Sequence, residues 1–215
     1  MDFSLDQRTA SLGVGELAGF VIGPRDSGDG PQGLWRAQLG TQWHRELRTR
    51  TASDTPDARF EVPIQGRIFH HGWTLSLSGL IDQILPAPGG SLLREIKTVT
   101  RPLPADADEL RAEFPEYFAQ IAAYVALQSL AEPASRFTGE LLFVEVDSGL
   151  SQTVPCGTFD DATFRARLEG VAELSSEFYD DNGQFAQRAV RRMAKNGRLR
   201  DWAALSDFHN TKQAD

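Results

Sequence analysis

The sequence predicts an α/β domain in which helices flank a central β-sheet. Three strand-like runs lie between residues 59 and 99, with breaks near residues 70–72 and at residues 86–90. Apolar residues occupy both faces of these runs, as expected for a sheet that is covered on both sides. The 215 residues suit one domain with a substantial core, and 40% hydrophobic with 24% charged residues is ordinary for a globular protein.

Helical and strand-like segments surround the three central runs. Turn residues and periodicity predict, in chain order, a helix at 14–22, a loop at 25–33, a helix at 34–49, a turn-like segment at 51–57, a linker at 101–104, a helix at 113–130, strands at 139–146 and 151–155, and helical structure from 160 to about 194. The last of these is interpreted as a helical C-terminal extension of a single domain spanning residues 1–215.

Two short stretches on neighbouring strands carry the candidate chemistry, G-L-I-D at 79–82 and E-I-K at 95–97. Side chains alternate along a strand, so Glu95 and Lys97 project to the same face. The Pro-Ala-Pro-Gly-Gly tract at 86–90 predicts a tight reversal, which places Asp82 beside them on an antiparallel neighbour. Two carboxylates with an adjacent lysine suit Mg²⁺ and metal-dependent cleavage of a phosphodiester.

A surface ion pair is the simpler interpretation of Glu-x-Lys, because such pairs are common on solvated strands and contribute little. The flanking residues favour a functional site instead. Charges set into apolar strands are costly unless they are paired or bind a metal. The apolar neighbours of the three charged residues are Leu77, Leu80, Ile81, Ile84, Leu85, Leu92, Leu93, Ile96 and Val99.

These motifs resemble those of the PD-(D/E)xK nuclease superfamily, in particular its RecB-like exonuclease branch. In that branch G-x-x-x-H lies on an upstream helix and Q-x-x-x-Y on a helix after the E-x-K strand. This chain has Gly40-Thr-Gln-Trp-His44 and Gln120-Ile-Ala-Ala-Tyr124 in that order, and residues 11–20 are similar to the branch's opening segment. The resemblance covers residues 11–130 and implies a restriction-endonuclease-like core, with a central mixed β-sheet flanked by helices.

The resemblance implies a Mg²⁺-dependent deoxyribonuclease, expected to act as an exonuclease in DNA repair, recombination or processing. Asp82 and Glu95 would ligate Mg²⁺ or Mn²⁺, with the backbone carbonyl of Ile96 as a further ligand. His44 becomes a candidate ligand, or an orienter of a metal-bound water. Neutral imidazole suits Mn²⁺ better than Mg²⁺. A lone histidine on a helix is otherwise structural or exposed.

Three further residues complete the expected catalytic set. Lys97 would orient the attacking water or stabilise the transition state, and Gln120 and Tyr124 would help to position the DNA strand. The last two are four residues apart and share one helical face. Alternatively, Gln120 is an ordinary surface residue and Tyr124 a core aromatic residue with a satisfied hydroxyl.

Cysteine content narrows the expected cofactors. Many RecB-like nucleases hold an iron–sulfur cluster through four cysteines, whereas this chain has only Cys156. We therefore expect no iron–sulfur cluster and no disulfide within the chain.

The net charge of −8 is the main objection to a nucleic-acid enzyme, because phosphates repel an acidic surface. The distribution of charge along the chain weakens this objection, since residues 188–200 contain six basic and no acidic residues. Arg188, Arg191, Arg192 and Lys195 are therefore predicted to bind DNA. A solvated helix face would give the same spacing.

DNA, as single strands or duplex ends, is the expected partner. The chain has no G-x-x-x-x-G-K-[ST] loop and so no recognisable ATP-binding motif. RecB-like nucleases often work beside a helicase, so the resemblance implies a helicase domain or subunit as a further partner and a domain excised from a larger helicase-nuclease. No membrane-length apolar stretch or signal pattern occurs, so a cytoplasmic protein is expected. Two alternatives stay open: a catalytically inactive nuclease-fold module that binds DNA or protein, and a metal enzyme acting on another phosphoester.

Overall fold

The computed structural model describes residues 2–4, 7–19, 31–70, 72–157, 162 and 164–171. Within these ranges, seven strands form one sheet, and four helices together with a helical segment at residues 164–171 pack around it. The strands are β1 (Asp2–Ser4), β2 (Thr9–Gly13), β3 (Arg59–His70), β4 (Trp73–Ala87), β5 (Gly90–Val99), β6 (Phe137–Glu145) and β7 (Ser151–Pro155). The helices are α1 (Val14–Ala18), α2 (Pro31–Asp54), α3 (Ala107–Glu113) and α4 (Pro115–Ala131).

The sheet is mixed. Strand β2 runs parallel to β4 and β5 parallel to β6, whereas the pairs β1–β2, β3–β4, β4–β5 and β6–β7 are antiparallel. The predicted α/β class, with a central mixed sheet flanked by helices, is therefore confirmed, and it agrees with a restriction-endonuclease-like core.

Strand β4 divides one of its edges between two partners. Residues 74–78 pair with β2 and residues 83–87 pair with β5, while β3 runs along the opposite edge. The G-L-I-D motif at 79–82 lies in the interval, where neither β2 nor β5 is its partner. Beyond the Gln83–Arg94 pair, β4 and β5 therefore separate, and we call this opening the fork.

Helix α4 covers one face of the sheet. Its side chains Phe118, Ile121 and Leu127 are buried in the main core together with Leu93 and Phe143 of the sheet. Burial of each such side chain stabilises the fold by about 1.5–3 kcal/mol. Proline at the first position of α4 suits a helix start, because its missing N–H is not needed there.

Helix α2 covers part of the opposite face. Its Trp43 and Leu47 pack on a second, smaller cluster formed by Ile96, Leu142 and Val144 of the sheet. This helix therefore lies directly over the strand that carries Glu95 and Lys97. Among the described helices, none combines the length and apolar content needed to cross a membrane.

Several predicted boundaries differ from the observed ones. Helix α2 begins at Pro31 and ends at Asp54, so residues 31–33 and 51–54, predicted as loop and turn, are helical. A proline is tolerated in the first turn of a helix, so Pro31 lies at a helix start rather than within a loop. Strands β1 and β2 and helix α3 were not predicted, because runs of three to seven residues carry little periodicity.

Other segments follow the prediction closely. The breaks at 70–72 and 86–90 are the two hairpin connections of β3–β4 and β4–β5. Residues 162 and 164–171 are helical, as expected for the start of the C-terminal extension, whose remainder lies outside the described residues, as do residues 21–30.

Candidate functional site

Asp82 occupies a local break in the alternation of β4. Ile81 and Ile84 are both buried in the main core, whereas the two residues between them, Asp82 and Gln83, both line a cleft on the α2 side. Glu61 of β3 lies between the residues that pair with Ile81 and Gln83, and its φ of 49° is uncommon for a residue other than glycine. The Asp82 side chain reaches β5 across the fork, where its Oδ2 accepts a hydrogen bond of 2.8 Å from the backbone N–H of Ile96.

Glu95 and Lys97 lie on the other side of β5, facing α4. Glu95 is 4% exposed. Its Oε1 accepts hydrogen bonds from Lys97 Nζ at 3.0 Å and from Gln120 Nε2 at 2.7 Å. Lys97 Nζ also donates to Gln120 Oε1 at 2.9 Å. Gln120 thus closes a triangle with the carboxylate and the ammonium, and all three side chains hold one another in place.

Tyr124 connects this triangle to β4. Its hydroxyl accepts from Gln120 Nε2 at 3.1 Å and donates to the backbone oxygen of Leu80 at 3.0 Å. Burial, followed by the charge of Glu95, raises the pKa of Tyr124 to about 12, so the hydroxyl stays protonated and remains a donor. Tyr124 is a core aromatic residue with a satisfied hydroxyl, and it also positions the site.

Gly79 is needed for this packing. A Cβ at Gly79 would lie 2.7 Å from Tyr124 Cε1, a separation that real Cβ atoms essentially never show. The glycine of G-x-x-D and the tyrosine of Q-x-x-x-Y therefore form one packing unit, although they lie 45 positions apart in the chain.

His44 approaches Asp82 from the α2 side. The distance from His44 Nδ1 to Asp82 Oδ1 is 3.7 Å, too long for a hydrogen bond. One turn earlier, a Cβ at Gly40 would lie 3.3 Å from Thr98 Oγ1, so glycine lets α2 lie close to β5. The G-x-x-x-H motif therefore combines a close helix–strand approach with an imidazole beside the carboxylate.

The electrostatics of Glu95 are dominated by burial. Removal from water raises the pKa of Glu95 to about 7; the Lys97 charge opposes this shift, and the Asp82 charge adds to it. Its second oxygen, Oε2, is buried and makes no hydrogen bond with a described residue. A buried carboxylate oxygen without a partner costs about 1–3 kcal/mol or more, so such an atom needs a functional explanation.

The donor set fits a hard divalent cation. Across residues 2–171 as described, no three His, Cys, Asp or Glu side chains converge closely enough to hold a metal by themselves. The fork instead offers Asp82, the unpartnered Oε2 of Glu95 and the nearby backbone of Ile96. Mg²⁺ is typically bound through one or two carboxylates while it keeps several waters, whereas a zinc site needs three or four side-chain ligands.

A cleft of about 530 Å³ opens beside Asp82 on the α2 side of the sheet. The cleft brings His44 of G-x-x-x-H and Asp82 of G-x-x-D together with residues that were not predicted from the sequence. Its lining includes His44, Arg45 and Arg48 of α2, Phe60 and Glu61 of β3, and Leu80, Asp82 and Gln83 of β4. The spacing of His44, Arg45 and Arg48 along one helical face would have been the sequence signal for the two arginines.

The structure thus brings Asp82, Glu95, Ile96, Lys97, Gln120, Tyr124 and His44 together around the fork. The predicted DNA-binding residues Arg188, Arg191, Arg192 and Lys195 lie outside the described residues.

Comparison with known proteins gives no family assignment. No family model matches the chain, and no curated protein matches it. Among solved structures, SSO0001 has a TM-score of 0.49 and 19% identity over 80% of this chain and 77% of its own. A protein from Eubacterium rectale described as "Putative exonuclease" has a TM-score of 0.42 and 14% identity over 81% of this chain and 58% of its own. Similarity at this level carries no weight for function, which is interpreted from the site itself.

Proposed function

We propose that this chain is a Mg²⁺-dependent deoxyribonuclease that hydrolyses phosphodiester bonds, acting as an exonuclease. The proposal is supported chiefly by the hydrogen bonding of the two Glu95 carboxylate oxygens. One oxygen of this buried carboxylate is fixed by Lys97 and Gln120, and the other has no hydrogen-bond partner among the described residues. Such a carboxylate, with Asp82 across the fork and a lysine in contact, is equipped to bind a cation and a phosphate together.

Asp82, Glu95 and the backbone carbonyl of Ile96 would hold the metal ion, with His44 beside Asp82. When bound, the ion would lower the pKa of a coordinated water and polarise the scissile phosphate. Asp82 already accepts from the amide of Ile96, and this hydrogen bond fixes its orientation before any ion arrives. Glu95 is likewise fixed through Oε1, so little reorganisation is needed.

Lys97 would act on the reacting phosphate. An ammonium group has three N–H donors. Two of them are occupied by Glu95 Oε1 and Gln120 Oε1, and the stem carries Nζ to 5.0 Å from the centroid of the Tyr117 ring. Among the described residues nothing accepts from the third donor, which would contact an oxygen of the phosphate or orient the attacking water. Gln120 contacts Lys97 directly, and Tyr124 contacts Gln120. These two residues would help to position the DNA strand without contacting the reacting atoms.

The proposal is tested by incubating the purified chain with matched linear and circular DNA, single-stranded and duplex, in Mg²⁺, in Mn²⁺ and without divalent ions. We expect ATP-independent degradation that requires a divalent ion and prefers single strands or free ends. Cleavage of closed circles at the rate of linear DNA would show endonuclease action instead. Inactivity on every DNA form would favour a module that only binds DNA or protein. A strict ATP requirement for cleavage by the purified chain, or efficient unwinding of duplexes, would contradict the expectation that this chain cleaves DNA without ATP and that a helicase partner unwinds it.

The affinity for divalent ions should depend on pH, because the pKa of Glu95 is about 7 and a ligating carboxylate must be deprotonated. Below pH 7 the affinity should rise about tenfold per pH unit, and it should level off above pH 7. Calorimetry between pH 5.5 and 8.5, in two buffers of different ionisation enthalpy, measures both the affinity and the released proton. An affinity that is constant across this range would contradict the assignment of Glu95.

The raised pKa of Glu95 also predicts how the stability of the metal-free chain depends on pH. A carboxyl group whose pKa is raised on folding contributes stability below its unfolded value of 4.5, and this contribution is lost as pH rises through about 7. The loss should reach roughly 3 kcal/mol at pH 8. A Glu95→Gln variant provides the control, because it should lack this component of the pH dependence.

A further inference from the structure

We propose that the cleft beside Asp82 is a binding subsite for one nucleotide of an unpaired strand, with its phosphate on Arg45 and its base against Phe60. This inference rests on the proposed function, because it places a flanking nucleotide next to the carboxylates of the fork. The cleft volume of about 530 Å³ falls within the range of roughly 300–1,000 Å³ typical of small-ligand sites.

Arg45 is the phosphate anchor. It lies on α2 next to His44 and lines the cleft with its side chain exposed. Its guanidinium makes no ion pair with any residue that the structure describes, whereas Arg50 on the next turn is paired with Glu46. A guanidinium that lines the same cleft as Asp82, and that has no carboxylate partner among the described residues, has the charge and the paired donors to hold a phosphate through two hydrogen bonds.

Phe60 provides a stacking surface. The guanidinium of Arg48 lies 5.2 Å above the centroid of the Phe60 ring, so a flat group already occupies the ring face from the cleft side. Nucleobases stack on aromatic rings in the same way. Leu80, which is 48% exposed at the same cleft, adds apolar contact for a base.

The ion pair between Arg48 and Glu61 limits access to the Phe60 ring. Arg48 Nη1 donates to Glu61 Oε2 at 2.7 Å, and this bond holds the guanidinium over the ring. A base can reach Phe60 only when Arg48 moves away, and a bound phosphate competes with Glu61 for Arg48. Glu61 therefore weakens strand binding, and neutralising it should strengthen binding.

Gln83 at the floor of the cleft supports an occupant rich in hydrogen-bond acceptors. It is 1% exposed, and its Nε2 makes no hydrogen bond within the described part of the chain. Its Oε1 has only long contacts, with Arg94 Nη1 at 3.4 Å and Thr51 Oγ1 at 3.5 Å. Phosphates and nucleobases both carry the acceptors that such an amide donor lacks.

The occupant is a single strand because a base within a duplex is stacked on its neighbours and paired at its edge. Such a base cannot offer a face to Phe60 without being unstacked, which costs a few kcal/mol. Single-strand binding that combines stacking with backbone cations tolerates any sequence, since every base has a π-face.

The test measures binding by the whole chain in EDTA, where no cleavage occurs, using fluorescence anisotropy of a labelled oligothymidylate and a hairpin duplex of equal length. Arg45→Ala should weaken single-strand binding severalfold and lower the log–log salt slope by about 0.7. Arg50→Ala is the matched control from the same helix and should bind as the parent does. Phe60→Ala should lose at least about fivefold in affinity. Phe60→Leu, which keeps apolar volume, should lose affinity as well while unfolding at the parent's temperature.

Glu61→Gln is the most specific variant, because it should tighten binding by more than Glu46→Gln does, although both remove one negative charge. Equal effects of Arg45→Ala and Arg50→Ala, duplex binding as tight as single-strand binding, or weaker binding by Glu61→Gln would each overturn the inference. Cleavage assayed separately in Mg²⁺ keeps the two proposals distinct. Strand binding through Arg45 and Phe60 without any cleavage would refute only the proposed function, and cleavage with unaltered binding by these variants would refute only the subsite.

Discussion

Replacing Glu95 with glutamine should reduce the rate of DNA cleavage by more than about 100-fold while leaving the chain folded. Residues that only support a metal ligand typically contribute 10–100-fold, so loss of a ligand should exceed this range. Glutamine keeps the side-chain volume and an oxygen that accepts from Lys97 and Gln120. It also removes a carboxyl group that burial disfavours in its charged form, since burial raises the pKa of Glu95 to about 7. At pH 8 the metal-free variant should therefore be at least as stable as the parent. Single-turnover cleavage, thermal unfolding and metal-binding calorimetry measure the three quantities.

Glu140→Gln provides the control for this experiment. Glu140 is also a largely buried strand carboxylate, paired with Arg94 at 2.6 Å, but it lies on β6 and does not line the cleft. Its substitution should lower stability without a comparable loss of activity. Asp82→Asn should resemble Glu95→Gln, since asparagine can still accept from Ile96. A Glu95→Gln variant that cuts DNA near the parent rate would remove Glu95 from the site.

Replacing Lys97 with methionine should lower turnover by about 100- to 1,000-fold and change DNA binding by less than about threefold. A single positioned donor acts mainly on charge that develops in the transition state, so its loss reduces kcat more than affinity. Methionine keeps the apolar stem beside Tyr117. The Lys97 charge lowers the pKa of Glu95, so the variant should also need a higher pH to bind the metal. Turnover is therefore measured at saturating metal and pH 8.5.

Arg101→Met is the matched control, because Arg101 is a partly exposed cation just beyond β5 that pairs with Glu109 and Glu113 rather than with the site. It should cut DNA at the parent rate. Equal losses of affinity and turnover in Lys97→Met would make Lys97 a simple phosphate contact.

The sequence was sufficient for features that depend on neighbouring residues. Strand alternation placed Glu95 and Lys97 on one face, and the turn residues at 86–90 predicted the antiparallel hairpin that brings Asp82 near them. The four-residue spacing of Gln120 and Tyr124 predicted a shared face of α4.

The remaining features depend on contacts between distant segments. The break in alternation at Asp82 and Gln83 coincides with the unusual φ of Glu61 on a different strand, and no local pattern around Asp82 predicts it. Gln120 bridges Glu95 and Lys97 only because α4 packs on that face of the sheet. The parallel pairing of β2 with β4 joins segments more than 60 positions apart, and such pairings leave little local signal.

The fork also changes what an intact motif means. An interruption of roughly 13 Å in a sheet edge leaves backbone groups without ladder partners. Two motif side chains replace the missing ladder hydrogen bonds. The Tyr124 hydroxyl donates to the backbone oxygen of Leu80, and the Asp82 carboxylate accepts from the backbone N–H of Ile96. Selection for folding alone would thus retain Asp82, Tyr124 and Gly79 even in a chain that had lost catalysis. Glu95 is different, because its buried charge opposes folding at neutral pH. Under the proposed function we therefore expect relatives that have lost both Glu95 and Lys97 to be inactive, whereas the persistence of the other three residues indicates only that the sheet is still interrupted.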